Sequence, residues 1–440
     1  MTTGGELDIQ KIEKGFRTAA LMDGDAAFRQ FLSSINIISA SCPECGTQLK
    51  SIAEREKNIV SLLGTGTYRR KYYECPNGHG HFIPGDEIIG IKRSAYTPGV
   101  RLAISKLASE GSFEWSSEAL AEITGIYVSA KEVQRLSESV GDEIESKNKE
   151  RIRTAMTPEP SKSKLDEHAP QATIDNATLY IEYDGTGVPM TKNELTGRSG
   201  KQADGSAKTR EAKIGCIFTQ SKYNDDLQPI RDRKTTSYFG SIEPAENFGW
   251  RVYAEATRSV VSAYKRKVVI GDGAKWIWGI ADRHFPDAIH IVDYYHAAEH
   301  LCKLTQALFA DKQRQEAVIN EWSTDLRDGN IEALVEKILS IPNLSKGQEE
   351  NIRIESNFFL ENANRMRYKK FKEMGLFVGS GVVEAGCKTV VGERLKQSGM
   401  FWSVHGANAI ISLRCAELSC NERLYNHFLS MGKNTNYKIA

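Results

Sequence analysis

The chain has 440 residues, and its length and composition, 40% hydrophobic and 26% charged, are those of a globular protein of several domains. They exclude a disordered, collagenous or coiled-coil chain. Lys and Arg number 58 against 57 for Asp and Glu, so the formal net charge of +1 neither favours nor excludes a polyanionic partner. No apolar run reaches the roughly 18 residues of a membrane span, and the start from Met1 to Phe16 has no signal-peptide core, so we expect no membrane contact. The eight cysteines are too sparse for a disulfide scaffold and fit a reducing cytoplasm.

Residues 1–40 are predicted to form N-terminal helices. Apolar residues recur at helical spacing from Asp8 to Leu32, and Met22-Asp23-Gly24 interrupts the pattern. We therefore expect two short helices before the first cysteine.

Residues 41–92 are turn-rich and are predicted to form a zinc ribbon, with strands around Ile59–Leu63 and Tyr72–Tyr73. Cys42-Pro-Glu-Cys45 is a C-x-x-C knuckle, and Cys75 follows at the distance of a second ligand pair. Gly78 stands where the fourth cysteine would be, and a histidine could replace that ligand. His79 is the choice by spacing, with His81 or a metal-free ribbon as alternatives. A Zn²⁺ ion with four such ligands would be structural, because it has no open position.

Residues 93–156 are predicted to be helical and to bind DNA. Pro98 suits a first helical turn, a second helix ends at Gly125, and a third starts where Ser129 and Glu132 form a capping box. Two helices joined by a short turn at Gly125 indicate a helix-turn-helix-like unit.

A linker is predicted at residues 157–172, where three prolines and many charges occur without periodicity. After it, residues 173–440 alternate helices with strand candidates. The strand candidates are Ala177–Asp184, Lys213–Thr219, Thr235–Phe239, Lys267–Ile270 and Ala288–Val292. Residues from about 300 to 375 are almost entirely helical in pattern. The predicted fold class is multidomain: a helical and zinc-ribbon N-terminal region, then an α/β region with a mixed sheet and an all-helical insertion.

Three carboxylates stand at positions that suit a metal site. Asp184 ends the first strand of the α/β region and Asp272 follows the fourth, and ligands gather at the strand ends of such sheets. Glu384 lies where a glycine turn opens a helix. Mg²⁺ or Mn²⁺ would take carboxylate oxygens, and two such ions can hold both sides of a phosphoryl displacement. Each Asp alone could equally be a turn former or a helix cap, so the prediction depends on convergence of all three.

A zinc peptidase is an alternative interpretation of one helix. His296-Ala-Ala-Glu299-His300 matches H-x-x-E-H, in which the two histidines bind zinc and the glutamate is the base. So short a match is weak, and it follows a strand that ends in Asp293 within the α/β region. A His300→Ala variant that stays active would exclude the peptidase.

Four strings in the chain are recognisable together: YIEYDGTGVPM, VVIGDGAKWIW, IVDYYHAAEHL and GSGVVEAGCKTVVGERLKQSGMFWS. In order and spacing they resemble the ISKra-type bacterial insertion-sequence transposases, an Asp/Asp/Glu group with an RNase H-like core. The resemblance covers nearly the whole chain. It implies that Asp184, Asp272 and Glu384 hold two catalytic Mg²⁺ or Mn²⁺ ions. It also implies that Asp293 and His296 are a shared Asp-x-x-His motif, and that the helical insertion separates the second Asp from the Glu.

The activity implied by the resemblance is DNA transposition. A water activated at the metal site attacks the phosphodiester at an inverted-repeat end, and the freed 3′-hydroxyl then attacks target DNA. The protein positions the strands and stabilises charge. His296 would orient the scissile phosphate or a flanking base, with capping of local backbone as the structural alternative. The implied partners are double-stranded DNA and further copies of the chain, as a homodimer or a higher synaptic oligomer, on the nucleoid of a bacterial cytoplasm.

Two other functions fit the same residues. One is a non-catalytic DNA-binding regulator derived from a transposase, and the other is a metal-dependent nuclease that cuts strands without joining them. The intact acidic positions favour an enzyme over the regulator.

Local clusters supply the candidate DNA contacts. Basic side chains interleaved with aromatic ones lie just before Glu384, and basic residues also lie on the third N-terminal helix. Trp402 would stack on DNA near the transposon end, with core packing as the alternative. A solvated helix face is the alternative for the basic clusters, which are Arg365, Arg367, Lys369, Lys370 and Lys372 in the first and Lys131 and Arg135 in the second.

Overall fold

The computed structural model describes residues 8–157, 177–200, 202, 205–259, 261–420, 422–431 and 437–439. The chain forms two compact units, one of Met1–Val140 with Glu422–Ala440 and the other of Gly141–Asn421. The division therefore falls at 140/141, inside a helix, and differs from the boundary expected at 157–172. Beyond Thr157 that predicted linker lies outside the described residues. No helix in the described part of the chain is both long and apolar enough to cross a bilayer.

The first unit combines helices with a small antiparallel sheet. β2 and β3 form a hairpin, β4 pairs with β3, and β1 pairs with a strand near the C-terminus. Its elements in chain order are α1 (Ile9–Ser34), β1 (Ile37–Ala40), β2 (Lys50–Ser61), β3 (Gly64–Glu74), β4 (His81–Phe82), α2 (Pro84–Ile88), α3 (Pro98–Glu110), α4 (Phe113–Thr124) and the start of α5 (Ala130–Met156), followed much later by the helix Arg423–Leu429 and the strand Tyr437–Ile439.

The N-terminal region holds one long helix, α1, so the prediction of two short helices is wrong. Gly24 lies in its middle, where a glycine costs about 1 kcal/mol relative to alanine. A Cβ atom at Gly24 would lie 3.0 Å from Leu63 Cδ2, so the glycine lets the helix lie close to the β2–β3 hairpin. Packing on the hairpin therefore overrides the local break signal.

The β2–β3 hairpin is longer than the sequence indicated. The polar stretch in β2 pairs with an equally polar stretch in β3, with Glu54 opposite Lys71 and Glu56 opposite Arg69. Opposite charges facing each other across two strands stabilise such a pair without an apolar face. The hydrophobic pattern alone could not reveal these strands.

The helices predicted for residues 93–156 are present. Thr97 caps α3 with Pro98 in its first turn, and α4 ends at Gly125, whose φ of 78° is the left-handed conformation that favours glycine. Ser129 Oγ accepts a hydrogen bond from the Glu132 N–H at 3.4 Å at the start of α5. The capping signals in the sequence thus placed these helix ends correctly.

The second unit is built on a five-stranded mixed sheet in the order β7-β6-β5-β8-β9. β5, β6 and β7 are antiparallel neighbours, whereas β5, β8 and β9 run parallel. All five strand candidates are confirmed, and the first four are longer than predicted. The strands are β5 (Thr178–Pro189), β6 (Thr209–Tyr223), β7 (Pro229–Ser241), β8 (Arg266–Gly271) and β9 (Ile289–Val292).

Helices surround this sheet, and those between β9 and about residue 375 form the predicted helical insertion. One apolar core runs from the sheet through the insertion, including Phe248, Ile277, Leu301 and Leu334. The helices are α6 (Ala245–Arg258), α7 (Lys275–His284), α8 (Tyr294–Leu308), α9 (Lys312–Asp328), α10 (Ile331–Leu339), α11 (Lys346–Glu361), α12 (Tyr368–Glu373), α13 (Gly381–Gly386) and α14 (Val404–Leu418), with a π-helical turn at Cys387–Gly392, a short turn at Glu393–Leu395 and 3₁₀ turns at Lys192–Leu195, Val261–Ala263 and Ala363–Arg365.

Buried charges fix the second half of α5 within the second unit. The Arg251 guanidinium on α6 donates to both Glu145 oxygens at 2.7 and 2.9 Å and to Glu243 at 2.6 Å. A Cβ atom at Gly141 would lie 2.1 Å from the Ala409 carbonyl oxygen, so only glycine permits α5 to approach α14 this closely. An ion-pair network and a close backbone contact therefore hold α5 in place.

Candidate functional site

The predicted metal ligands Asp184 and Asp272 lie at one end of the second unit's sheet. β5 and β8 are parallel in a register that, extended past β8, places Asp184 opposite Asp272. The register of β8 and β9, extended in the same way, places Asp272 opposite Asp293. Adjacent strands lie about 4.8 Å apart, so the sheet itself brings three carboxylates into one row.

Local hydrogen bonds orient the first two carboxylates. Asp184 Oδ1 accepts the Gly185 N–H at 2.6 Å, and Asp272 Oδ1 accepts the Ala274 N–H at 2.8 Å. Gly273, between Asp272 and Ala274, has a φ of 99°, so this is a tight turn that requires glycine. Asp272 is thus also the turn former that the sequence allowed, and each carboxylate has a second oxygen for other partners.

Asp293 links α8 to the segment that carries Glu384. It is fully buried, and its Oδ1 caps α8 by accepting the His296 N–H at 2.8 Å. Its Oδ2 accepts the Ser380 N–H, and Ser380 Oγ in turn donates to Glu384 Oε1 at 3.1 Å. The Asp293 side chain therefore sets the positions of His296 and Glu384 together.

Glu182 provides a second connection to the Glu384 helix, and sequence reasoning missed it. It lies on β5 with its side chain fully buried, and its Oε2 accepts the Val383 N–H at 3.0 Å and lies 3.8 Å from Cys216 Sγ. Burial, helped by the charge of Asp293, raises the pKa of Glu182 to about 8. The available signal was a lone glutamate inside an apolar strand, which demands a specific partner.

The three predicted triad carboxylates influence one another electrostatically. The pKa of Asp184 is raised, first by burial and then by the negative charges of Asp272 and Glu384, against the lowering effects of the Gly185 N–H and of His296. Like charges at close range disfavour ionisation, and a cation between them removes that cost. The structure thus brings together residues that are far apart in sequence.

His296 is the positive group of the site. Its Nδ1 lies 3.5 Å from Asp293 Oδ1, and its interaction with Asp293 is the main reason that its pKa rises to about 9, with Asp272 and Asp184 adding to the effect. Burial alone would raise the pKa of Asp293, but His296 and the Ser380 N–H lower it below the ordinary value. At neutral pH the pair is therefore an imidazolium and a carboxylate.

The residues present fit a hard divalent cation. Asp184, Asp272, Asp293 and Glu384 offer carboxylate oxygens, the donors that Mg²⁺ and Mn²⁺ take. One potential ligand atom from each of Asp293, His296 and Glu384 lies within 4.8 Å of the others. Within the described residues, neither Asp184 nor Asp272 belongs to a group whose possible ligand atoms all lie within 4.8 Å of one another. The negative charge of Glu384 nevertheless acts on the pKa of Asp184.

The helix geometry does not favour the peptidase interpretation. His300 Nδ1 lies 2.7 Å from Glu355 Oε2, and its ring stacks on Phe358 with the ring centres 3.9 Å apart. Glu299 pairs with Lys303 at 3.5 Å. In the described part of the chain the two histidines of H-x-x-E-H do not form a common ligand group.

The four predicted zinc ligands meet in the first unit. Cys45 Sγ lies 3.6 Å from Cys75 Sγ, and His79 Nδ1 lies 3.8 Å from Cys42 Sγ and 3.5 Å from Cys75 Sγ. Ligands at about 2.0–2.3 Å from a tetrahedral Zn²⁺ are themselves about 3.5–3.8 Å apart, which agrees with these distances. The group comprises His79 and not His81, as spacing indicated.

Local backbone conformation and hydrogen bonds favour metal binding by the four predicted zinc ligands. Gly46 and Gly78 follow the two knuckles with φ of 71° and 78°. Hydrogen bonds from Thr47, and a weaker one from Asn77, lower the pKa of Cys45 to about 5. A thiolate is the form of cysteine that binds metal, so the chemistry of this group fits Zn²⁺.

Three side chains of the basic run before Glu384 have partners within the protein. Arg367 forms a two-pronged ion pair with Glu332. Arg365 lies over the Trp278 ring at 4.6 Å, and Lys372 lies over the Tyr294 ring at 5.4 Å. These contacts fix the run against the protein.

The remaining basic candidates are exposed. Lys369 and Lys370 line an open pocket together with Arg367, while Lys131 and Arg135 lie on α5, where Arg135 pairs with Glu132 at 2.6 Å. Because these four side chains are exposed, they can reach DNA, and their DNA contact stays a prediction.

Trp402 does not fit its predicted DNA contact. Its side chain is only 6% exposed, its Nε1–H donates to the Leu395 carbonyl at 3.0 Å, and Arg394 lies over its ring at 5.2 Å. An indole enclosed in this way has no free face for a base, so core packing, the alternative interpretation, is the one that the structure supports.

Comparison with known proteins gives weak similarities. The chain matches no protein-family model. It is 23% identical over 385 residues to the "UPF0236 protein in vanSb 3'region" of Streptococcus gallolyticus, a match that covers 84% of this chain and 74% of the relative. Among solved structures, the Drosophila P element transposase strand transfer complex aligns with 73% of this chain and 79% of its own at 10% identity and a TM-score of 0.24. A score this low does not establish a shared fold.

Proposed function

We propose that the chain is a DNA transposase that cuts insertion-sequence ends and joins them to target DNA. The proposal is supported by the strand register that puts Asp184 opposite Asp272 at one edge of the sheet, and by the hydrogen bonds that link Glu384 through Ser380 to Asp293 at the same edge. An acidic cluster of this kind is the protein part of a two-metal phosphoryl-transfer site.

The topology of the second unit supports an RNase H-like catalytic core. In chain order its five strands are arranged 3-2-1-4-5, with the first three antiparallel and the last two parallel to the first. This arrangement is expected of an RNase H-like sheet. Asp184 on the central strand and Asp272 after its parallel neighbour then occupy the positions where the resemblance expects the first two acidic residues.

The side chains around the cluster have distinct tasks in this proposal. Mg²⁺ or Mn²⁺ held by Asp184, Asp272 and Glu384 would activate water and neutralise phosphate charge. Asp293 orients His296, and the protonated imidazole attracts a phosphate group to the cluster. Glu182 accepts the Val383 N–H and so holds the Glu384 helix against β5. The protein's own contribution is thus positioning and electrostatic stabilisation.

The first unit would recognise DNA around a structural zinc. Zn²⁺ at Cys42, Cys45, Cys75 and His79 would fix the ribbon, and α4 with α5 would place Lys131 and Arg135 near phosphates. Two copies of the chain, each on one inverted-repeat end, would form the synaptic complex.

A strand-transfer assay tests the proposal. Labelled duplexes of the DNA that flanks the reading frame are incubated with the full chain, Mg²⁺ or Mn²⁺ and a target plasmid. We expect cleaved and joined products from the wild type, and a loss of at least about a hundredfold in Asp184→Asn, Asp272→Asn and Glu384→Gln, since removing one such charge costs several kcal/mol of transition-state stabilisation. Glu299→Gln, an exposed glutamate on α8, is the matched control and should retain activity.

Each outcome distinguishes the candidate functions. Cutting without joining would favour a nuclease, and binding without cutting in both metals would favour a regulator. Full activity in any of the three acidic-cluster variants would refute the site. Loss of activity in Glu299→Gln would show that the effect of replacing a carboxylate by an amide is not specific to the acidic cluster.

A further inference from the structure

An exposed aromatic side chain lies beside the acidic cluster and has no role in the chemistry proposed above. Tyr295 is the second residue of α8, between the helix cap Asp293 and His296, and is 67% exposed. Its neighbours are enclosed: Asp293 is fully buried and His296 is partly buried. A large aromatic group exposed at such a place offers a face on which a ligand with an aromatic ring can stack.

The ring of Tyr295 is held close to the cluster by a glycine. A Cβ atom built on Gly379 would lie 3.0 Å from Tyr295 Cε2 and 3.6 Å from Asp293 Oδ2. The ring edge and the Asp293 carboxylate therefore both border the same point of the Gly379 backbone. A side chain there would push the ring away, so the glycine keeps Tyr295 beside the cluster.

The position of the ring is also fixed from within the helix. Tyr294 meets Tyr295 edge to face, with the ring centres 5.6 Å apart and the planes at 78°. Two contacts on the protein side and the high exposure leave part of the ring for solvent.

An exposed aromatic ring beside the proposed phosphoryl-transfer site suits the base of the nucleotide that carries the scissile phosphate. Base-on-aromatic stacking contributes about 1–3 kcal/mol per base and requires a base that is free of its own stack. A paired base in intact duplex has no open face, so the arrangement suits DNA with an unpaired base next to the scissile phosphate.

We propose that Tyr295 is a stacking platform for one unpaired nucleobase adjacent to the phosphate that the acidic cluster acts on. This inference deepens the proposed transposase function and rests on it. It predicts that the chain prefers DNA whose end is locally unpaired, irrespective of which base is unpaired, because every base offers an aromatic face.

The test compares two labelled duplexes of the flanking DNA, one fully paired and one with a single unpaired 2-aminopurine, bound to the full chain in Ca²⁺. We expect the wild type to bind the unpaired probe about 5- to 100-fold more tightly and to quench its fluorescence. Tyr295→Ala should lose the preference and the quenching, while Tyr295→Phe, which keeps the ring, should retain both. Tyr425→Ala, at an exposed tyrosine of the first unit, is the control and should behave as wild type.

The inference is overturned if Tyr295→Ala keeps the preference, if Tyr295→Phe loses it, or if the wild type binds both probes equally. Cleavage in Mg²⁺ separates this result from the wider proposal. Cleavage by a wild type that has no preference would overturn the stacking subsite alone. A Tyr295-dependent preference without any cleavage would overturn the transposase function and leave the subsite in place.

Discussion

Removing the Arg251 charge should strongly destabilise the second unit. The side chain is 5% exposed and pairs with Glu145 and Glu243, which are 12% and 17% exposed. Arg251→Met keeps much of the volume but leaves two carboxylates in a poorly hydrated place without their cation. Removing one partner of a buried pair typically costs about 3–5 kcal/mol, mostly because the remaining charge is uncompensated.

The effect should depend on pH in a defined direction. In the wild type, burial would raise the pKa of Glu145, but hydrogen bonds and charge from Arg251 lower it below the ordinary value. A lowered folded-state pKa gives stability that is present above the unfolded pKa of about 4.3 and is lost as the pH falls through the folded value. In Arg251→Met the carboxylate would instead take up a proton readily. The difference between variant and wild type should therefore be largest at neutral pH. It should shrink as the pH falls through about 4.3 towards the lowered pKa of the wild type, and the decrease should begin above 4.3 because the variant's carboxylate is protonated at a higher pH.

Denaturant unfolding followed by tryptophan fluorescence measures this difference, because five of the six tryptophans, all but Trp115, lie in the second unit. Arg283→Met is the matched control, since Arg283 pairs with Glu246 on the surface with both side chains more than half exposed. It should cost at most about 1 kcal/mol. Equal stability losses in the two variants, or a loss in Arg251→Met that does not change with pH, would refute the reasoning.

Three further predictions concern the other sites. His79→Ala should lose the metal and His81→Ala should retain it, measured as zinc per chain by mass spectrometry. Equal zinc content in both variants would exclude His79 as the fourth ligand. Glu182→Leu should lower the free energy of unfolding by about 1–3 kcal/mol, because it leaves the buried Val383 N–H without an acceptor. Glu182→Gln keeps an acceptor oxygen and should lower it less. The reverse order in denaturant unfolding would contradict the proposed connection. Lys369→Ala and Lys370→Ala should each reduce the slope of log binding constant against log salt by about one, and an unchanged slope would remove them from the DNA contacts.

Several features followed from local sequence alone. The strand positions of the second unit could be predicted because its apolar runs are bounded by glycine and charge, and the same boundaries revealed Asp184 and Asp272 at strand ends. The C-x-x-C knuckle and the spacing to Cys75 and His79 identified the ligand group in the same way, since ligand spacing within a short turn leaves little freedom.

Other features depended on groups that are remote in the chain. Met22-Asp23-Gly24 is a break signal that α1 overrides by packing on the hairpin. Trp402 gives no local sign of its burial, which results from Arg394 and the Leu395 carbonyl. The division between the units falls inside α5, where no compositional change marks it.

The sequence by itself determined which residues bear the chemistry: acidic residues after apolar strands, thiols in tight knuckles, and helix caps, all of which act through neighbours in the chain. Only the tertiary structure decided how they act together. Glu182 became a connection to the Glu384 helix, and His296 acquired a pKa of about 9, because sheet register and helix packing placed charges from distant segments in one poorly hydrated space. Electrostatic interactions depend on distance and burial, and neither quantity is encoded in the local order of residues.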